Sequence, residues 1–211
     1  MVLSAHQNAL TGTLATELGA FSALQLFTIN HNFLKGAVPS ELGLMTTLTS
    51  LDITSNTFSG TLPTELGLLT RLTLLGLHMN SLVGTLPTEL GQLTFLKELS
   101  VHTNAFSGTL PMELALLTEL QTFYAYANNL TGTLPTQLVE WRGIKIFSIH
   151  KNHFTGTIQT ELGTWRDVKR LSISDNNLTG TLPSELGQLS TLEFLDVASN
   201  SLKGTIPTEF G

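Results

Sequence analysis

The chain has 211 residues, of which 41% are hydrophobic and only 12% are charged, and its formal net charge is −6. The apolar content excludes a disordered, charge-rich segment, since such segments lack the residues that a core needs. The acidic balance argues against nucleic acid as a partner, because surfaces that bind phosphates are basic. The absence of cysteine excludes disulfides, thiolate zinc ligands and cysteine nucleophiles.

The N-terminal sequence MVLSAHQNALTG lacks the basic start and apolar run of a secretory signal, so no signal peptide is visible in this segment. No stretch approaches the roughly 18 consecutive apolar residues that a membrane-spanning helix needs. We therefore expect this segment to make no membrane contact.

An asparagine recurs every 24 residues from one end of the chain to the other. The nine asparagines are Asn8, Asn32, Asn56, Asn80, Asn104, Asn128, Asn152, Asn176 and Asn200. A glycine follows each of them by four residues, and no insertion or deletion disturbs the spacing. A strict period of this length predicts a stack of repeated supersecondary units. We expect each unit to form one coil, and we number the coils 1 to 9 by their asparagines.

Each unit opens with the pattern L-x-L-x-x-N, as in Leu75–Asn80. Alternating apolar residues predict a short strand with one buried face. The asparagine follows the strand, where its side chain can bond backbone groups of its own turn and of neighbouring turns. We expect these side chains to form a structural ladder inside the coil. Its predicted members are Asn32, Asn56, Asn80, Asn104, Asn128, Asn152 and Asn176.

The rest of each unit predicts a bend followed by a helical turn. In L-x-G-T-L-P, as in Leu130–Pro135, the glycine permits a tight bend and the proline stiffens the chain. In T-E-L-G-x-L-T-x-L, as in Thr88–Leu96, apolar residues lie three apart, which is the spacing of a 3₁₀ or short α turn. Stacked units would place nine parallel strands about 4.8 Å apart. Because the strand side is the more closely spaced, the coil should curve with the sheet inside.

This repeat resembles the leucine-rich repeat, specifically its 24-residue plant-type subclass, L-x-x-L-x-L-x-x-N-x-L-x-G-x-I-P-x-x-L-G-x-L-x-x-L. The likeness covers essentially all 211 residues. Receptor-kinase ectodomains of plants and plant cell-wall enzyme inhibitors are similar, as are algal and protist arrays. The resemblance implies a right-handed, curved α/β solenoid with a concave parallel sheet and short 3₁₀ or α turns on the convex side.

The resemblance also implies a function, which is non-catalytic recognition of a protein, peptide or glycan on the concave sheet, without a cofactor. It favours an extracellular or cell-surface location. Family ectodomains usually carry cysteine-bearing caps, which this chain lacks. An uncapped array exposes core leucines at its ends. We therefore expect residues 1–211 to be a single array of about nine units that is a fragment of a longer protein.

A candidate binding patch comes from the positions one, two and four residues before each asparagine, which we expect to face outward from the concave sheet. Histidines and tyrosines are concentrated there in coils 4 to 7, and tyrosine offers a large rigid contact area. The predicted binding residues are His78, Met79, His102, Tyr124, Tyr126, His150 and Lys151. The alternative is that these columns are simply solvated and vary freely. A flat column brings only two adjacent histidines together, so we expect no metal site.

Threonines define an alternative functional surface. They follow the repeat glycine as Thr13, Thr61, Thr85, Thr109, Thr133, Thr157, Thr181 and Thr205, and Ala37 replaces one. Outward threonine rows on a flat coil resemble the faces of ice-binding solenoids, where regularly spaced hydroxyls and methyls would order water. The alternative explanation is that threonine is a good former of exposed strands.

Two further motifs concern modification and catalysis. Asn129 and Asn177 each begin an N-L-T sequence, which is an acceptor for N-glycosylation. Ser148 and His150 lie two residues apart on one strand face, but no acid is placed behind the histidine. A catalytic site needs a nucleophile, a base and an orienting group that converge in a pocket. We therefore expect no catalytic residues and no enzymatic activity in this segment.

Overall fold

The computed structural model describes residues 1–210, and Gly211, the last residue of the predicted array, lies outside them. Within the described residues the chain is a stack of coils, and each coil contains a short strand, the asparagine and a 3₁₀ helix. This architecture confirms the predicted fold, a curved α/β leucine-rich-repeat solenoid with a concave parallel sheet.

The concave sheet runs through the whole stack in chain order. Over residues 1–210 it has nine strands, and each pairs in parallel with the strand 24 residues further on, as Leu75 does with Leu99. The strands are Val2–Ser4, Leu26–Thr28, Ser50–Asp52, Leu74–Gly76, Glu98–Ser100, Thr122–Tyr124, Ile146–Ser148, Arg170–Ser172 and Phe194–Asp196. Since the register equals the repeat length, side chains at equivalent positions lie directly beside one another.

Short 3₁₀ helices form the convex side. In the part of the chain that the structure describes, they are Thr16–Ala20, Ser40–Leu44, Thr64–Leu68, Thr88–Gln92, Met112–Leu116, Thr136–Glu140, Thr160–Thr164, Ser184–Gln188 and Thr208–Phe210. Most begin after a proline, such as Pro87 with φ −62° and ψ 138°, whose ring presets the extended conformation that precedes the helix. No helix among residues 1–210 is long and apolar enough to span a bilayer.

A second parallel sheet occupies one flank of the stack, and we call it the flank sheet. Its strands are Thr11–Gly12, Phe33–Gly36, Thr57–Thr61, Ser81–Gly84, Ala105–Gly108, Asn129–Gly132 and His153–Phe154. The sequence interpretation treated this segment only as a bend. The bend exists, because each repeat glycine has φ between 75° and 90°, but the residues before it are extended and pair between coils.

The core is continuous along the stack, because every coil contributes apolar side chains, most of them leucines, from the strand, the flank and the helix. In coil 4 all of these side chains are at most 2% exposed. They are Leu75, Leu77, Leu82, Leu86, Leu90, Leu93 and Leu96. Coils 6 and 7 place Trp141 and Trp165, both fully buried, where coils 3, 4, 5 and 8 have leucine. The Trp141 indole donates a hydrogen bond to the Leu114 carbonyl at 2.8 Å.

The asparagines join both sheets. Asn56 is buried, and its Nδ2 donates to the carbonyls of Ile29, Ile53 and Thr54 at 3.0 to 3.1 Å. Its Oδ1 accepts a hydrogen bond from the backbone N–H of Leu34 in the flank sheet of the preceding coil. The same contacts recur at the other asparagines from Asn32 to Asn200, for example at Asn152. Each side chain thus satisfies backbone groups in two coils that the turn would otherwise leave unbonded.

Candidate functional site

Four aromatic rings from coils 4 to 7 form a continuous row on the concave sheet, which we call the ring stack. Its members are His78, His102, Tyr126 and His150. Successive ring centroids are 4.2, 4.1 and 4.3 Å apart, and the interplanar angles are 23°, 11° and 10°. The stack forms because these residues lie two positions before the asparagine, so the strand register places their rings face to face.

Hydroxyl groups fix the orientation of the imidazoles. His102 Nδ1 lies 3.0 Å from the Thr103 hydroxyl, and His150 Nδ1 lies 2.9 Å from the Ser148 hydroxyl. His78 Nδ1 lies 3.2 Å from Thr54 Oγ1. These contacts hold the imidazoles in the orientation in which their faces meet.

The ring stack is uncharged near neutral pH. The pKa of His102 is lowered to about 4, chiefly because the ring is buried and secondarily because His78 and His150 lie beside it. Burial also lowers the pKa of His78, although Asp52 opposes this effect. Burial is the main cause that lowers the pKa of His150, and the positive charge of Lys151 lowers it further. Neutral rings can stack closely, whereas charged neighbouring imidazoles would repel one another.

The other three predicted binding residues lie beside the stack. Tyr124 makes edge-to-face contacts with His102 and Tyr126, with centroids 5.9 and 6.1 Å apart. Met79 and Lys151 do not lie on the sheet plane, because the residue before each asparagine has φ near 50° to 55° and forms the turn that ends the strand. Both are exposed at the edge of the sheet. The structure therefore brings five of the seven predicted residues together and places two at the rim.

A depression of about 700 Å³ adjoins the ring stack in coils 6 to 9. Its lining includes Tyr124, His150, Ser172, Ser174, Arg170 and Phe194. The Arg170 guanidinium lies 4.3 Å from the centre of the Phe194 ring. The sequence interpretation missed this pair because it stopped counting outward positions four residues before the asparagine. Strand alternation also places the sixth residue before each asparagine on the outward face, and Arg170 and Phe194 occupy that position in coils 8 and 9.

The outer face of the flank sheet carries the predicted threonine row. Thr131 and Thr133 flank the strand-ending Gly132, and both are exposed. The predicted glycosylation residues Asn129 and Asn177 are exposed on this same face. Among residues 1–210, no group of three or more His, Asp or Glu side chains is arranged to hold a metal ion.

The sequence and the fold together identify the family. The family model for the Leucine Rich Repeat matches residues 47–69, 167–189 and 191–211. No curated protein matches the chain. The chain belongs to the leucine-rich repeat family, and its structure resembles the ectodomains of plant receptor kinases.

Two solved structures illustrate this similarity. The ectodomain of the Arabidopsis thaliana membrane receptor kinase GASSHO1/SCHENGEN3, in complex with CASPARIAN STRIP INTEGRITY FACTOR 2, is 33% identical over 99% of this chain, with a TM-score of 0.87. The Arabidopsis receptor kinase HAESA, in complex with the peptide hormone IDA and the co-receptor SERK1, is 32% identical over 97% of this chain, with a TM-score of 0.93. This chain spans 28% of the first protein and 34% of the second.

A third structure shares the fold at lower identity. A plant ice-binding protein is 24% identical over 98% of this chain and 74% of its own length, with a TM-score of 0.77.

Proposed function

We propose that this chain is a non-catalytic recognition module of an extracellular or cell-surface protein, and that it binds a peptide across coils 4 to 8 of its concave sheet. The observation that carries the proposal is the ring stack, which concentrates aromatic surface on the sheet beside a depression of about 700 Å³. Aromatic side chains dominate binding surfaces because they offer large contact area with few rotatable bonds.

The similar structures support a peptide as the ligand rather than a glycan. GASSHO1/SCHENGEN3 and HAESA were both solved in complex with partners, a factor in one case and a peptide hormone in the other. An extended peptide also suits this surface physically, because it can lie across several coils and place successive side chains against successive columns of the sheet.

A phage-displayed library of random peptides, selected on the immobilised chain, tests this proposal. We expect the selected peptides to lose affinity roughly thirtyfold or more for a variant carrying Tyr124→Ala and Tyr126→Ala, since truncated aromatic anchors typically weaken binding by about 2 kcal/mol. A matched control carries Thr131→Ala and Thr133→Ala on the flank sheet, which should leave binding unchanged. Selected peptides that bind the double tyrosine variant as tightly as the parent chain would contradict the proposal.

A second candidate function is supported by the flank sheet. Its extended strands place outward threonines in regularly spaced rows on a continuous β surface, which is the arrangement needed for an ice-interacting or structural face. If this candidate function is correct, the chain should produce thermal hysteresis, and Thr133→Tyr with Thr157→Tyr should abolish it. Absence of both hysteresis and ice shaping at high protein concentration would refute it.

A further inference from the structure

The ring stack ends abruptly at His150. The next two residues in the same column of the concave sheet are Ser174 and Ala198, neither of which has a ring. The preceding rings follow one another at 4.1 to 4.3 Å, so a further ring that continued the row would lie against the face of His150 directed toward coil 8. The depression described above lies at this end of the stack.

Hydrogen bonds hold the residues at the floor of this space in fixed positions. Ser174 is only 3% exposed, and its hydroxyl donates a hydrogen bond to Asp196 Oδ2 at 2.8 Å. The second oxygen of Asp196 accepts a hydrogen bond from the backbone N–H of Ala198 at 3.1 Å. Because both carboxylate oxygens are already bonded, Asp196 forms a fixed wall of the space.

We infer that the depression is a slot for one aromatic side chain of the bound peptide, which stacks on His150 and continues the row of four rings. This inference rests on the proposed peptide-binding function and adds the class of side chain that the site selects. A planar ring fits because the coil spacing of a parallel sheet, about 4.8 Å, is close to the separation of stacked rings.

The charges around the slot balance, so they do not favour a charged side chain of either sign as the occupant. Arg170 and Lys151 line the depression together with Asp175 and Asp196. The stacking face of His150, rather than a net charge, therefore sets the preference for a ring. Arg170 already lies over the Phe194 ring, so it can also approach the edge or face of a second ring in the slot.

Nuclear magnetic resonance with a small probe tests the slot directly. We expect N-acetyltryptophanamide to shift the ring protons of His150 upfield, because a ring stacked on the imidazole face shields them, while the ring protons of His6 stay unshifted. N-acetylleucinamide and N-acetylargininamide should leave His150 unshifted. The inference is overturned if the leucine probe shifts His150 as strongly as the tryptophan probe, or if no probe shifts it.

Binding measurements on variants of the slot provide a second test of the inference. Ser174→Tyr supplies a ring at the next position of the column and should weaken binding of N-acetyltryptophanamide roughly tenfold, the loss of about one stacked contact. His150→Ala removes the ring on which the probe stacks and should weaken binding by a similar factor, so it tests the same point without altering the buried floor. His6→Tyr, in the same column at coil 1, is the control and should leave binding unchanged. Undiminished binding to the folded Ser174→Tyr or His150→Ala variant overturns the inference.

The experiments can refute the aromatic slot and the proposed peptide-binding function independently of each other. If selected peptides require Tyr124 and Tyr126 but bind the Ser174→Tyr variant normally and contain no preferred aromatic residue, peptide recognition stands and the slot is refuted. If N-acetyltryptophanamide occupies the slot but no selected peptide depends on the concave sheet, the slot stands as an aromatic site and peptide recognition is refuted.

Discussion

The two sheets come from the same repeat, yet their outward faces differ in character. On the concave sheet, the position two residues before the asparagine changes from coil to coil, including His6, Thr54, Tyr126 and Ala198. On the flank sheet, a threonine follows the glycine in every coil except coil 2, which has Ala37. One face is therefore varied and the other nearly uniform, although both sheets pair in parallel from coil to coil, the concave sheet with a 24-residue register and the flank sheet with a 22-residue register.

The difference has a steric explanation. At Gly132, an added Cβ would lie 2.6 Å from the Thr109 methyl of the preceding coil, and the same close approach recurs in most coils. The glycine and threonine of neighbouring coils therefore constrain each other on the flank. Outward side chains of the concave sheet contact one another from coil to coil, and several, such as Ser174, are buried. Residues as different as Thr54, Tyr126 and Ala198 nonetheless occupy one column of this sheet, which is the variability that the proposed peptide-binding surface needs.

The largest expected effect comes from breaking the asparagine ladder, because it holds both sheets at once. Asn56→Ala should lower the free energy of unfolding by about 4 kcal/mol, since it leaves several buried carbonyls and one N–H without partners. Urea unfolding measures this change. Asn8→Ala is the matched control, because Asn8 is exposed and its side chain donates only within its own coil. Equal losses in the two variants would show that the ladder bonds contribute nothing beyond the local turn.

Acidification should weaken the concave face by a smaller amount. The pKa of His102 is about 4 in the folded chain against an ordinary value of 6.5. The folded state therefore binds fewer protons than the unfolded state below pH 6.5, and stability falls as the pH drops from 6.5 to about 4. The loss should reach about 2 kcal/mol, less than the full shift implies, because solvent at the open concave face screens part of the effect. His102→Phe keeps a ring in the stack but cannot be protonated, so its unfolding free energy should depend less on pH.

Other ionisable groups also act on the stack. The groups that influence the pKa values of its histidines are His31 and Asp52 at His78, and Lys151, Asp175 and Asp196 at His150. Burial lowers the pKa of both terminal histidines, so they should add to the acid sensitivity in the same direction as His102. An identical pH dependence in the parent chain and in His102→Phe would mean that the buried imidazole is not its main source.

Much of the fold follows from the period of the sequence. The constant spacing of the asparagines predicts the coil, and the alternation in Leu75–Asn80 predicts the concave strand with its buried leucines. The three-residue spacing in Thr88–Leu96 predicts a 3₁₀ or short α turn, and the structure has a 3₁₀ helix at Thr88–Gln92. These features are predictable because each depends on a local pattern that is repeated nine times, so chance irregularities in one coil do not obscure the pattern.

Most features that the sequence did not predict depend on contacts between coils or on local backbone strain. Met79 and Lys151 adopt a left-handed backbone conformation that neither residue type signals, because the strand–asparagine turn imposes it. The flank strands are two to five residues long and pair only with other coils. Arg170 and Phe194 were missed for a different reason, since the alternation that places them outward was counted over too short a segment.

The smallest expected effect tests whether the contact between coils keeps the flank uniform. Gly132→Ala combines an unfavourable φ of 77° with the clash against Thr109, and it should lower the free energy of unfolding by about 2 kcal/mol. Gly12 has a φ of 90° but nothing within 4 Å of an added Cβ, so Gly12→Ala should lower it by only about 1 kcal/mol through backbone strain. The difference between the two variants, measured by urea unfolding, isolates the packing of glycine against threonine. If the two losses are equal, the glycine is required only for its backbone conformation, and the uniform threonine row needs a different explanation, such as selection for the face itself.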